Sequence, residues 1–129
     1  VLASGGIGGS VDRVRRFWGA GNPPATILNG SYPTADGLLH DVAALAGARL
    51  TNLDRMWNYA AGVRHPRPLF ENHGLSLVPP KTALWVNAHG RRIGPLPLIT
   101  AYDTKYLVDR VCEEPGGYSW QILNRKIIF

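Results

Sequence analysis

Apolar positions recur at helical spacing in three stretches of this chain. Val11, Val14, Phe17 and Trp18 form the first. Ser10 precedes it, where a hydroxyl can accept from the free N–H groups of the opening turn, and Gly19 and Gly21 end it. Leu38, Leu39, Val42, Leu45 and Ala46 make one apolar face of a second helix, opened by Thr34-Ala35-Asp36-Gly37 and stopped by Gly47. A third runs through Cys112, with Asp103 as its cap and Tyr106, Leu107, Arg110 and Val111 on adjoining turns. Pro115-Gly116-Gly117 breaks it.

Shorter apolar runs between the helices predict strands. Val1 to Ala3 reads as a strand end feeding the glycine loop Gly5-Gly6-Ile7-Gly8-Gly9. Ala48 to Leu53 reads as a short strand. Ala83 to Asn87, the turn Ala88-His89-Gly90 and Arg91-Arg92-Ile93 read as strand, tight turn and strand, with Gly90 supplying a positive φ. Tyr118 to Phe129 is strand-like or a last short helix. Asn22-Pro23-Pro24 imposes an extended, turn-rich segment, and the prolines and glycines of 60–80 predict irregular structure. The alternation is irregular, so the fold class is α+β, with short helices and a small, mostly antiparallel sheet, rather than regular βαβ units.

Composition narrows the function classes. A 45% apolar content with four Trp in 129 residues argues against a disordered tail. No apolar run approaches the ~20 residues that a spanning helix needs. The net charge is +5, yet the basic residues stand singly or in pairs, with no run of five and no zinc-finger spacing. Nucleic-acid binding therefore ranks below an anionic small ligand. Cys112 is the only cysteine, which excludes an internal disulfide, reads as a small apolar residue and is compatible with a cytoplasmic setting. Both ends are apolar, Val1-Leu2-Ala3 and Ile127-Ile128-Phe129, where termini are usually polar. They read as interior positions of a longer polypeptide.

The glycine loop is the first candidate for chemistry. Glycines entering a helix N-terminus let backbone N–H groups approach a pyrophosphate. The spacing Gly6-x-Gly8-x-x-Val11 departs from the dinucleotide fingerprint, and no acidic residue follows about 20 positions on. A tight strand-to-helix turn is the alternative. His40, His65, His73 and His89 form no metal motif. His40 reads as structural and His89 as solvated. His65 lies between Arg64 and Arg67, as either a surface loop or an anion pocket.

Taken in order, four segments resemble a known family. Leu2-Ala3-Ser4-Gly5-Gly6-Ile7-Gly8-Gly9-Ser10 resembles the L-A-T-G-G-F-G-G-N segment of FAD-dependent enzymes related to the fumarate reductase/succinate dehydrogenase flavoprotein and the 3-ketosteroid dehydrogenases. Thr34-Ala35-Asp36-Gly37 resembles T-G-D-G, opening a helix that ends in A-G-A, here Ala46-Gly47-Ala48. Asp54-Arg55-Met56-Trp57-Asn58-Tyr59 resembles D-M-E-M-W-Q-F. Leu84 to Ile93 resembles I-L-V-N-x-x-G-x-R-F. The four together span nearly the whole chain.

The resemblance implies an internal fragment of an FAD-dependent oxidoreductase that moves hydride between a small organic substrate and flavin. Residues 1–58 would form the edge of the flavin domain and 59–129 part of the cap domain over the substrate. Ala3, Ser4, Gly5 and Gly6 would lie against FAD, with Asp36 and Gly37 near the flavin. Two departures qualify the chemistry. The family's substrate histidine after W-Q-F is replaced by Ala60, leaving His65 five residues later as a displaced substitute. Tyr102 stands where the fumarate reductase proton-donor arginine would be. Tyr102 is thus a candidate proton-handling group, as tyrosines are in ketosteroid dehydrogenases; the alternative is a tyrosine that packs before a helix cap. No metal is implied. The fragment alone is expected to be inactive, and to form homo-oligomers through apolar surface otherwise covered by the rest of the parent. The second function class is a small basic module for an anionic ligand or single-stranded nucleic acid.

Overall fold

The structure is a computed structural model and describes residues 3, 5–19, 21–77, 83–94 and 104–128. The expected strand end at Val1-Leu2, the hydroxyl of Ser4, the Asp103 cap, Tyr102 and Phe129 lie outside the described residues. The chain divides into two compact units, one of residues 1–56 with 63–75, the other of 57–62 with 76–129.

In the first unit, helix α1 spans Val11–Arg16. Ser10 caps it as its position predicts, accepting from Arg13 N–H at 3.3 Å. Val14 and Trp18 bury one side of this segment, and Ile7 joins them from the glycine loop. Helix α2 spans Leu38–Leu45. Its end is a Schellman motif: Gly47 takes φ 88°, Gly47 N–H donates to Ala44 C=O and Ala48 N–H to Ala43 C=O. An amphipathic helix ordinarily buries its apolar stripe. Here Leu38, Val42 and Leu45 are 62%, 57% and 89% exposed, and α2 buries only Ala43. The apolar face read from the sequence exists, but nothing within the described residues covers it.

The strand expected over Ala48–Leu53 does not form. The chain leaves α2 through the Schellman turn, then Asn52 adopts a left-handed φ of 57° and Arg55 N–H closes a turn onto Asn52 C=O. A ladder needs extended backbone and a partner, and this segment has neither. Of the stretch 60–80, residues 60–77 are described and are more regular than the prolines suggest. Strands β1 (Gly62–Arg64) and β2 (Gly74–Ser76) pair as a two-stranded sheet.

In the second unit, β3 (Leu84–Val86) pairs antiparallel with β4 (Trp120–Ile122), Leu84 opposite Ile122 and Val86 opposite Trp120. Ala88-His89-Gly90 turns as expected, with Gly90 at φ 71° and Asn87 Oδ1 accepting from the N–H groups of His89 and Arg91. The second arm of that hairpin lies on the other edge of β3 from β4: Asn87 N–H donates to Arg91 C=O, Ile93 N–H donates to Trp85 C=O, and Val86 bridges Arg92. Helix α3 spans Thr104–Cys112, and α4 spans Arg125–Ile128, so the last segment supplies both a strand and a short helix. Ala61, Trp85, Ile93, Leu107 and Val111 form the core of this unit. The architecture is α+β with short helices and two small sheets, instead of one. None of the described helices is long and apolar enough to cross a membrane.

Candidate functional site

The glycine loop and the segment before α2, read separately in the sequence, form one nest. Gly9 N–H donates to Ala35 C=O at 2.8 Å, and Ser10 N–H returns to Ile7 C=O at 3.0 Å. A methyl group on Gly9 would overlap the carbonyl oxygen of Tyr32 and come within 2.9 Å of those of Pro33 and Ala35. On Gly8 it would meet Ser31 Oγ at 2.7 Å. Gly37 is buried at φ 78°, and a methyl there would strike Ile7 Cγ2 at 2.7 Å and Arg13 Cδ at 3.2 Å. These three glycines are needed by the chain's own packing.

Gly5 and Gly6 differ. Both are exposed, as is Ala3. Gly5 sits at φ 83° beside Ala35 Cβ, at 3.9 Å, and nothing lies within 4 Å of a methyl placed on Gly6. The nest thus presents exposed backbone at Ala3, Gly5 and Gly6, bordered by the 35–37 turn. Such a strip fits the close approach of a flat or phosphate-bearing cofactor, because no side chain stands in the way. A phosphate cradle at the start of α1 fits less well. The N–H groups of Gly9, Ser10 and Arg13 are already taken, and Asp12 puts a carboxylate in the first turn. Asp36 holds Leu38 N–H with Oδ1 at 3.0 Å and so fixes the start of α2.

Two polar groups missed in the sequence hold the nest. Arg13 meets the Asp41 carboxylate with both terminal nitrogens, joining α1 to α2. That hydrogen-bonded pairing raises the Arg13 pKa and lowers that of Asp41. Asn29 is the buried polar residue among those described. Its Nδ2 donates to Gly9 C=O at 3.2 Å, its Oδ1 accepts from Ser31 N–H at 2.8 Å, and its backbone bonds Asn72 and Gly74. Asn29 lies in the extended, turn-rich segment after Asn22-Pro23-Pro24, and only its long-range partners reveal it as a junction.

His65, a candidate catalytic residue, is stacked on His73 with ring centroids 4.2 Å apart. Its Nδ1 accepts from Arg67 N–H at 3.1 Å, which leaves Nε2 as its free ring nitrogen. No group of His, Cys, Asp and Glu among the described residues could hold a metal ion. His89 is exposed, whereas the half-buried His40 has a buried Nδ1 without a hydrogen-bond partner. Burial raises the pKa of the Cys112 thiol, and Asp109 adds to it, so this cysteine is a poor nucleophile.

Over 99% of its length the chain is 39% identical to a KsdD-like steroid dehydrogenase of Mycolicibacterium smegmatis. It is 37% identical over the same share to the KsdD-like steroid dehydrogenase of Mycobacterium tuberculosis. It covers 24% and 23% of those proteins, so the chain spans about a quarter of the length of the curated relatives it matches. No protein-family model and no solved structure matches the chain. The chain is homologous to part of these dehydrogenases, as the resemblance in its four motifs implied.

Proposed function

We propose that this chain is a segment of an FAD-dependent dehydrogenase, contributing a backbone surface for the cofactor and part of the substrate enclosure. The open backbone at Gly5-Gly6, beside a nest that itself consumes Gly8, Gly9 and Gly37, carries this reading. Ala3, Ser4, Gly5 and Gly6 would lie against FAD, and Asp36 and Gly37 would set the edge of the flavin site. When bound, FAD supplies the hydride acceptor or donor. The segment's own part is to fix the cofactor's position and to handle a proton, through Tyr102 or through His65 Nε2. The substrate is a small organic molecule, and the name of the relatives favours a steroid. Exposed aromatic rings of the second unit, Trp57 with Tyr59 and Tyr118 with Trp120, offer surface for such an apolar molecule. A cytoplasmic setting suits this chemistry. Without the remaining flavin contacts the segment alone is inactive and self-associates through surfaces such as the exposed face of α2. A clean monomer by light scattering at high concentration would contradict that association.

The test is Gly6→Val in the full-length polypeptide. A Cβ at this position has no described atom within 4 Å, so folding by circular dichroism stays unchanged while flavin absorbance per protein falls. A variant that keeps its full flavin content sinks the proposed contact. The 129-residue chain mixed with FAD should leave flavin fluorescence unquenched; tight stoichiometric binding would show that it carries the essential contacts by itself.

A further inference from the structure

We propose that the loop joining β1 to β2 is a pH-operated latch, held closed by the stacked pair His65 and His73 while both rings are neutral and released when they are protonated. The imidazole planes are 2° from parallel at 4.2 Å between centroids. Phe70 also stacks on His73, at 4.2 Å and 28°, and Tyr32 meets Phe70 edge-on at 6.4 Å. Each imidazole accepts a backbone N–H of its own loop at Nδ1. Arg67 N–H donates to His65 at 3.1 Å and Leu69 N–H donates to His73 at 3.2 Å. An accepting Nδ1 places the single ring proton of the neutral form on Nε2. A second proton must go to Nδ1, where it faces a donor, so each bond is lost on protonation.

Charge adds to this. Two stacked imidazolium rings repel. The charged or titratable side chains around the pair are Arg64 on β1, Arg67 and Glu71 in the loop, and Tyr32 on the packed segment; β2 carries none. Only His65 acts appreciably on the charge of His73. Burial first, and the His65 charge second, hold the His73 pKa below the ordinary histidine value. The folded pKa is depressed, so the closed loop is fully stabilised above the ordinary value of about 6.5 and loses that contribution as pH falls through the lower folded value. The ends of the loop are tied separately, by His65 N–H to His73 C=O and by Asn29 to Asn72 and Gly74. Release is therefore local to residues 65–73. This inference stands apart from the flavin reading, and its test reads the loop alone.

The experiment is amide hydrogen exchange with histidine-ring NMR on the full polypeptide, between pH 8 and pH 5. Protection of the Arg67 and Leu69 amides, corrected for the intrinsic rate, should fall about tenfold at low pH. The His73 ring should titrate below the ordinary histidine value. His73→Asn places a neutral acceptor, Oδ1, where Nδ1 accepts from Leu69 N–H, and it cannot take the charge, so it should keep that amide protected at pH 5. Equal protection at both pH values overturns the latch, as does loss of protection in His73→Asn at the same pH. Should that variant fail to fold, the native ring decides: titration of His73 at the ordinary value overturns the latch.

Discussion

In the second unit, elements close around side chains: Trp85 and Ile93 are almost wholly buried against Leu107 and Val111. In the glycine nest they close around backbone, with Gly8, Gly9 and Gly37 admitting neighbouring chain where any Cβ would collide. The first arrangement draws its stability from apolar area removed from water. The second draws it from hydrogen bonds and close contact, and it leaves a row of leucines on α2 in solvent. A region assembled around its own backbone can keep its outer surface for something else, and the open strip at Gly5-Gly6 is such a surface.

This contrast can be broken in graded steps. Trp85→Ala should have the largest effect, about 3–5 kcal/mol, by leaving a cavity in the second unit. Chemical denaturation would measure it, and a loss below 1 kcal/mol would show that this core is not what holds the unit. Gly9→Ala comes next, at about 1–3 kcal/mol, because backbone must move away from the Tyr32, Pro33 and Ala35 carbonyls. The control is Gly6→Ala, within about 0.5 kcal/mol of neutral because space is open there. Equal costs at the two glycines would refute the division of the loop into packing and open halves. Ser10→Ala should cost about 1 kcal/mol through the lost cap, read as a lower midpoint for α1. Acid has the smallest expected effect. The Asp41 pKa is lowered by its bond to Arg13, so that pairing contributes above the ordinary carboxylate pKa of about 4 and is lost as pH falls through the lower folded value. Asp41→Asn should flatten the acid limb of a melting-temperature profile by a small margin, and no flattening would show the exposed pair to be idle.

Local signals were legible where local chemistry decides the outcome. The Ser10 cap, the Gly47 stop, the Gly90 turn and the helix through Cys112 are each set by residues a few positions apart. The strand assigned to Ala48–Leu53 failed because apolar content does not supply a partner, and the left-handed Asn52 turned the chain away. The hairpin arm at Arg91–Ile93 pairs where its turn predicts, whereas the ladder on the other edge of β3, with Trp120–Ile122, is a pairing that no short window of sequence contains. The same holds for the site. Glycines 5–9 and the Asp36-Gly37 pair were visible as motifs, but their union through Gly9 and Ala35 was not. Asn29 and the His65–His73 stack depend on partners far along the chain or on ring geometry, and composition is blind to both.

The path of the chain between the units bears on how it is made. Residues 57–62 belong to the second unit, yet 63–75 return to the first before the second resumes. A ribosome that has released the glycine loop and α2 has not yet released the partners of Asn29, because Asn72 and Gly74 come later. The first unit therefore waits, half assembled, while the opening residues of the second are already outside the exit tunnel. The order of synthesis and the order of folding are interleaved, and the segment most exposed to that delay is the one that ends up beside the open glycines.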